Sequence, residues 1–112
     1  MADCVFCKIR DNEIDAAKVY EDEDVLVIKD VHPQAPIHLL IVTKKHVFGM
    51  NDATPEILGH AMMVADRVAQ KLGIADKGYR LILNEGEHGG KLVPHFHIHL
   101  LGGKSLGPKI VK

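Results

Sequence analysis

The sequence predicts an α+β fold in one domain spanning residues 1–112: an antiparallel sheet of about five strands packed on one long helix, with one short helix beside it. Three observations carry this prediction. Several short apolar runs are rich in β-branched residues, only the 55–72 stretch has apolar residues at helical spacing, and strands and helices do not alternate as they would around a parallel sheet. At 112 residues and 46% apolar, the chain can fill one modest core.

Residues 4–10 suit a short helical turn. Lys18-Val19-Tyr20-Glu21 and Val25-Leu26-Val27-Ile28 read as two strands split by the acidic turn Asp22-Glu23-Asp24. In Pro33-Gln34-Ala35-Pro36 each proline fixes its own backbone and disfavours helix in the residue before it, so a stiff loop delivers His38 to the strand Leu39-Leu40-Ile41-Val42. Thr54 before Pro55 is an N-cap followed by proline at the first helical position. Leu58, Ala61, Met62, Ala65, Val68, Ala69 and Leu72 then recur at steps of three and four, which makes the apolar face of the long helix, and Gly73 stops it. On this reading Met62 and Met63 belong to the core. Tyr79 to Asn84 alternates as another strand, Glu85 to Gly90 forms a glycine-rich connection, His95 to Leu101 is the last strand, and an irregular tail starts at Gly102.

The last strand carries the chemistry. In His95-Phe96-His97-Ile98-His99-Leu100-Leu101, alternation puts three imidazoles on one face, about 6.6 Å apart in steps of two, and Phe96, Ile98 and Leu100 on the other. The apolar side should meet the long helix, which leaves the imidazoles facing a cleft. Histidine titrates near neutrality and suits proton transfer, metal ligation or nucleophilic attack. Gly89-Gly90 reads equally as a hairpin turn or a phosphate cradle, and Asp30 as a solvated turn carboxylate or a ligand contact. His32, His60 and His88 fall outside this pattern and are expected at the surface or in loops. With 14 basic and 15 acidic residues and a net charge of -1, the chain lacks the basic stripe of a nucleic-acid binder. No apolar leader or membrane-length run is present, so a cytoplasmic location without membrane attachment is expected. In a reducing compartment Cys4 and Cys7 make a metal or redox pair more readily than a disulfide.

The run His95 to Leu101, taken with Asp30, Asn84 and Pro33-Gln34-Ala35-Pro36-Ile37-His38, resembles the histidine triad (HIT) family, and within it the Hint branch of purine nucleoside phosphoramidate hydrolases. Further landmarks follow in order: Phe6 to Ile9, Lys44-Lys45-His46, Gly78-Tyr79-Arg80, Asn84-Glu85-Gly86 and Gly89-Gly90. The resemblance covers nearly the whole chain. It implies a five-stranded antiparallel sheet and a homodimer with a continuous sheet.

By the same resemblance, His97 matches a nucleophile that attacks the α-phosphorus of an AMP or GMP derivative. His99 and His38 match histidines around the phosphate, and His95 a supporting position. Asp30 matches a ribose contact and Asn84 an amide near the phosphate and leaving group. Val5, Phe6, Ile9 and Ile28 fall where the base packs, and the backbone from Gly90 to Val93 is available to the phosphoryl oxygens. Cys4, Cys7, His46 and His95 match a structural zinc site of some bacterial members, whereas the phosphorus chemistry needs no metal. Leu92 departs from the branch, which places a serine there, so a hydroxyl at the scissile region is missing. Two other classes share these features: a metal-dependent hydrolase with zinc on His97 and His99, and a nucleotide-binding or partner-docking protein without turnover. Within the family the nearest alternative is a dinucleoside polyphosphate hydrolase.

Overall fold

The structure is a computed structural model that describes residues 4–108 and 110. A short helix α1 (Val5–Arg10) is followed by strands β1 (Lys18–Glu21), β2 (Val25–Lys29) and β3 (Ile37–Thr43). A single 3-10 turn (Met50–Asp52) leads to the long helix α2 (Pro55–Lys71), and β4 (Arg80–Ile82) and β5 (His97–Gly102) complete the fold. All neighbouring strands are antiparallel, in the order β1-β2-β3-β5-β4. This is the α+β architecture that the sequence predicts.

Both faces of the sheet are covered, which is why β2 and β3 read as nearly unbroken apolar runs. On one side Val25, Val27, Leu39, Ile41, Ile98 and Leu100 pack with Phe96 against Ala61, Val64, Ala65, Val68 and Ala69 of α2. Three alanines in that stripe let the helix lie close to the strands. On the other side Leu26, Ile28, Leu40 and Val42 meet Phe6 and Ile9 of α1. Among the described residues no helix is long and apolar enough to cross a membrane.

The cap of α2 forms as expected: Thr54 Oγ1 accepts from the Ile57 N–H at 3.2 Å, and Pro55 opens the first turn. The apolar face needs correction. Met62 and Met63 are about half exposed and Leu72 is exposed, while Val64 is buried. A helix turns 100° per residue, so with Ala61 and Ala65 pressed on the sheet, position 62 swings to the rim and 64 swings in.

Two strands also differ from expectation. β4 keeps only Arg80–Ile82: the Tyr79 hydroxyl donates to Asp66 on α2 at 2.5 Å, and Asn84 turns away to donate to the Gly89 carbonyl at 2.6 Å. β5 starts at His97, two residues late, because Pro94 has no N–H, the His95 N–H donates to Val93 and the Phe96 N–H to Val47. His60 is not in a loop: it sits on α2, with Nε2 2.7 Å from Asp22 Oδ2, and ties the helix to the β1–β2 turn.

Ile41 is fully buried at the centre of β3 between the sheet and α2. Ile41→Ala is expected to lower stability by about 2–5 kcal/mol, read from urea unfolding; a change under about 1 kcal/mol would contradict this packing.

Candidate functional site

Two clusters of histidines lie on the α1 face of the sheet, and hydrogen-bond partners assign the tautomer of nearly every ring. The first lies at the β2, β3 and β5 side of the histidine strand. His97 is buried, with Nδ1–H donating to the His95 carbonyl at 2.7 Å. Its Nε2 therefore keeps a lone pair. His38, on β3, accepts the Gln34 N–H at Nδ1 (3.0 Å), so its proton is on Nε2. That proton faces His99 Nδ1 at 2.9 Å and Asp30 Oδ2 at 3.3 Å. His99 Nδ1 is thus an acceptor, and Nε2 of His99 carries the proton. Asp30 is not a free turn carboxylate, since Oδ1 accepts the His32 N–H at 2.8 Å.

This wiring suits hydrogen bonding rather than metal ligation. Asp30, His38 and His99 lie close enough to surround an ion. To bind one through Nε2, however, His38 would have to move its proton to Nδ1, against the Gln34 N–H. Burial is the main reason the His99 pKa is pushed down to about 4, with the neighbouring His97 and His38 rings adding to it. Burial likewise lowers the pKa of His97.

The second cluster is Cys4, Cys7, His46 and His95, with every potential ligand atom within 4.8 Å of the others. Cys4 Sγ and Cys7 Sγ lie 3.2 and 3.7 Å from His95 Nδ1, Cys7 Sγ lies 3.2 Å from His46 Nδ1, and the two Nδ1 atoms are 3.1 Å apart. The edges of a tetrahedron with metal–sulfur and metal–nitrogen bonds of about 2.3 and 2.05 Å run from about 3.3 to 3.8 Å, so the four donors fit a divalent ion. His95 Nε2–H donates to the Thr43 carbonyl at 2.7 Å, which turns a bare Nδ1 toward the sulfurs, as an outer partner does for a metal-bound histidine. Burial and the adjacent Cys4 push the Cys7 thiol up, the direction that a cation among the sulfurs would reverse. This group can hold a metal ion.

Phe6 bridges the clusters, its ring edge-on to His97 at 5.1 Å and to His95 at 5.6 Å. Of the residues expected at a base pocket, Phe6, Ile9 and Ile28 are buried together and Val5 of α1 is partly exposed; Val93, expected at the phosphoryl oxygens, packs against this cluster. Asn84 and Gly90 lie in the 84–91 loop, where Gly90 has a positive φ of 78°. Leu92 is 91% exposed. The groove between residues 73–80 and 103–108 contains none of the expected site residues. Sequence reasoning missed Gln34 and Thr43, which act through a backbone N–H and a backbone carbonyl and so leave no side-chain signal.

His99 yields a pH prediction. Its native pKa is depressed, so the unfolded chain takes up a proton first as pH falls below about 6.5. The stability from burying it neutral is present above that pH and is lost as pH falls toward 4. An NMR titration should find the His99 midpoint near 4; a midpoint near 6.5 would contradict the half-buried, neutral assignment.

The comparisons with known proteins agree with this geometry. The HIT domain family matches residues 11–106. The chain is 44% identical to the purine nucleoside phosphoramidase of Escherichia coli K12 over 109 residues, covering 95% of this chain and 92% of the relative. It is 48% identical to an uncharacterized HIT-like protein of Synechocystis, covering 91% of each. Among solved structures, a HIT family hydrolase from Clostridium thermocellum superposes with a TM-score of 0.94 at 46% identity, covering 99% of both chains. A histidine triad protein from Clostridium difficile reaches 0.92 at 41% identity, covering 97% of both. With its alternate histidines on β5 and a five-stranded antiparallel sheet behind them, the chain belongs to the HIT domain family.

Proposed function

We propose that this chain hydrolyses purine nucleoside 5′-phosphoramidates, or related AMP and GMP derivatives, at the α-phosphorus through a nucleotidyl intermediate on His97. The observation that carries the reading is the wiring of that ring: Nδ1–H is held by the His95 carbonyl, and the lone pair at Nε2 is left for attack. The name of the Escherichia coli relative, purine nucleoside phosphoramidase, supports the substrate class.

In the first step His97 Nε2 forms a bond to phosphorus as the bond to the leaving amine breaks, and the amine departs with a proton. Solvent supplies that proton, because His99 is neutral and holds its only proton on Nε2; with Nδ1 held by His38, the Nε2–H is suited to hydrogen-bond the leaving group. Water then attacks phosphorus, the P–Nε2 bond breaks to free His97, and the surplus proton of the water returns to solvent. Asp30 is the carboxylate for the ribose hydroxyls. Phe6, Ile9, Ile28 and Val5 are the apolar residues for the base, of which Val5 is the exposed one. Asn84, Gly90 and Val93 flank the phosphoryl and leaving groups. His95 acts from behind, through its carbonyl, as a positioning residue.

In the second cluster the metal we infer is zinc, for which two sulfurs and two imidazoles are a suitable closed donor set. It would fasten α1 to the sheet and supply no open position for water. A reducing cytoplasm, where both thiols stay free for it, is the matching compartment. We also infer a homodimer through the edge strand β4, where Ile82 and the following Leu83 are exposed apolar side chains, as are Met62 and Met63 on α2.

Incubation with adenosine 5′-phosphoramidate should release AMP, and His97→Ala should reduce the rate by roughly a thousandfold or more. No AMP from the parent protein would remove the hydrolase reading; release from a diadenosine polyphosphate alone would favour the polyphosphate hydrolase. Native mass spectrometry should find a dimer of the 12.4 kDa chain with one zinc per chain, lost in Cys4→Ser/Cys7→Ser. Zinc retained by that double variant would exclude this site.

A further inference from the structure

Cys4 and Cys7 are the two cysteines of the chain, and they differ in access: Cys7 is buried, whereas Cys4 is only partly covered. They share one turn at the start of α1. The Cys4 carbonyl accepts the Lys8 N–H at 3.0 Å, and Cys4 Sγ accepts the Cys7 N–H at 3.5 Å. Cα atoms three residues apart on such a turn are about 5 Å from each other, within the span that a disulfide bridges. The two sulfurs already lie within 4.8 Å of each other. Ligation and bridging exclude one another at these atoms, because a ligating sulfur is a thiolate and a disulfide sulfur is not.

Two contacts connect this turn to the His97 ring. Phe6, between the cysteines in sequence, sets its ring edge-on to His97 at 5.1 Å and to His95 at 5.6 Å, so rearranging the turn moves a ring that packs on His97. His95 turns Nδ1 toward Cys4 Sγ at 3.2 Å and Cys7 Sγ at 3.7 Å, while its carbonyl accepts the Nδ1–H of His97 at 2.7 Å. The far end of α1 has anchors of its own. Arg10 donates to the Lys44 carbonyl at 2.7 Å and Ile9 is buried against the sheet, so a change at the cysteines stays within the first turn.

We propose that Cys4 and Cys7 are an oxidation site for hydrogen peroxide, and that their disulfide removes two of the four metal donors and loosens the hold on His97. This rests on the reading that zinc occupies the cluster. The Cys4 sulfur, the more accessible one, attacks a peroxide oxygen; the O–O bond breaks, and the departing hydroxide takes a proton from solvent to become water. The Cys7 sulfur then attacks the Cys4 sulfenic acid, the S–O bond breaks, and a second hydroxide leaves as water. Two thiolates, one peroxide and two protons become one disulfide and two waters, the sulfurs giving up the two electrons that the peroxide takes. A dithiol reverses the step.

The test treats the zinc-loaded protein with a small excess of hydrogen peroxide and reads zinc captured by a chromophoric chelator, the mass of the peptide carrying Cys4 and Cys7, and the His97 ring signals by NMR. One zinc per chain should be released, the peptide should be lighter by two hydrogens, and the His97 signals should shift. AMP affinity by isothermal titration calorimetry should fall by roughly five- to tenfold. Dithiothreitol with zinc should restore all four, which separates the bridge from methionine oxidation, since that does not reverse under a dithiol. Retained zinc, or oxygen added to the sulfurs without a bridge, overturns the proposal. A bridge that leaves the His97 signals in place also overturns it. A parent protein without zinc fails the metal reading and takes the proposal with it. If the parent protein does not bind AMP, the nucleotide reading fails, and the zinc, the peptide mass and the His97 signals decide the proposal without it.

Discussion

The register of β3 against β5 organises everything else in the molecule. With His38 opposite Leu101, Leu40 opposite His99 and Val42 opposite His97, the imidazoles at 38, 97 and 99 fall on one face of the sheet, and 38 meets 99 on the diagonal. A slip of one residue would turn one strand's imidazoles into the α2 core and its Ile and Leu side chains toward the site. The apolar residues that prevent the slip, Leu39, Ile41, Ile98 and Leu100, are therefore as necessary to the site as the histidines.

His95 stands two residues before β5 begins and links the two histidine clusters. Its ring leaves the ladder, donates to the Thr43 carbonyl and turns Nδ1 toward two sulfurs, while its own carbonyl holds the His97 ring. One residue thus faces a metal-competent pocket through its side chain and orients a neighbouring imidazole through its backbone. A residue buried this completely has few ways to satisfy its polar atoms, and each hydrogen bond it makes restricts the next.

The helices serve unequal roles. α2 closes one face with alanine and valine, supplies five of the thirteen buried residues of the larger core and carries none of the expected site residues. α1 is a turn and a half long, far too short to be stable alone, and it stays in place through Phe6 and Ile9 in the second core and through Cys4 and Cys7 beside His46 and His95. The 84–91 loop holds its shape by internal hydrogen bonds around its glycines and through Lys91 and Glu85.

Much of this was legible in the chain. Alternation along His95 to Leu101 separated the apolar face from the polar one, and the Thr54-Pro55 pair marked the start of α2, while Cys4, Cys7, His46 and His95 came under suspicion as one ligand set only through the family resemblance. Local physics suffices for the first two, because strand alternation and helix caps act over a few positions. Other features belong to packing between distant segments. Which way α2 rotated, and so exposed Met62 while burying Val64, depended on how closely its alanines could approach the sheet. Where β5 began depended on Thr43 and Val47, about fifty residues away. The tautomers of His38, His95 and His97 were decided by backbone groups of Gln34, Thr43 and His95, and the burial of Lys91 by the Phe48 and Gly49 turn. Every residue carries the same backbone atoms, so a sequence can name the rings but only the folded chain decides which of their nitrogens holds the proton.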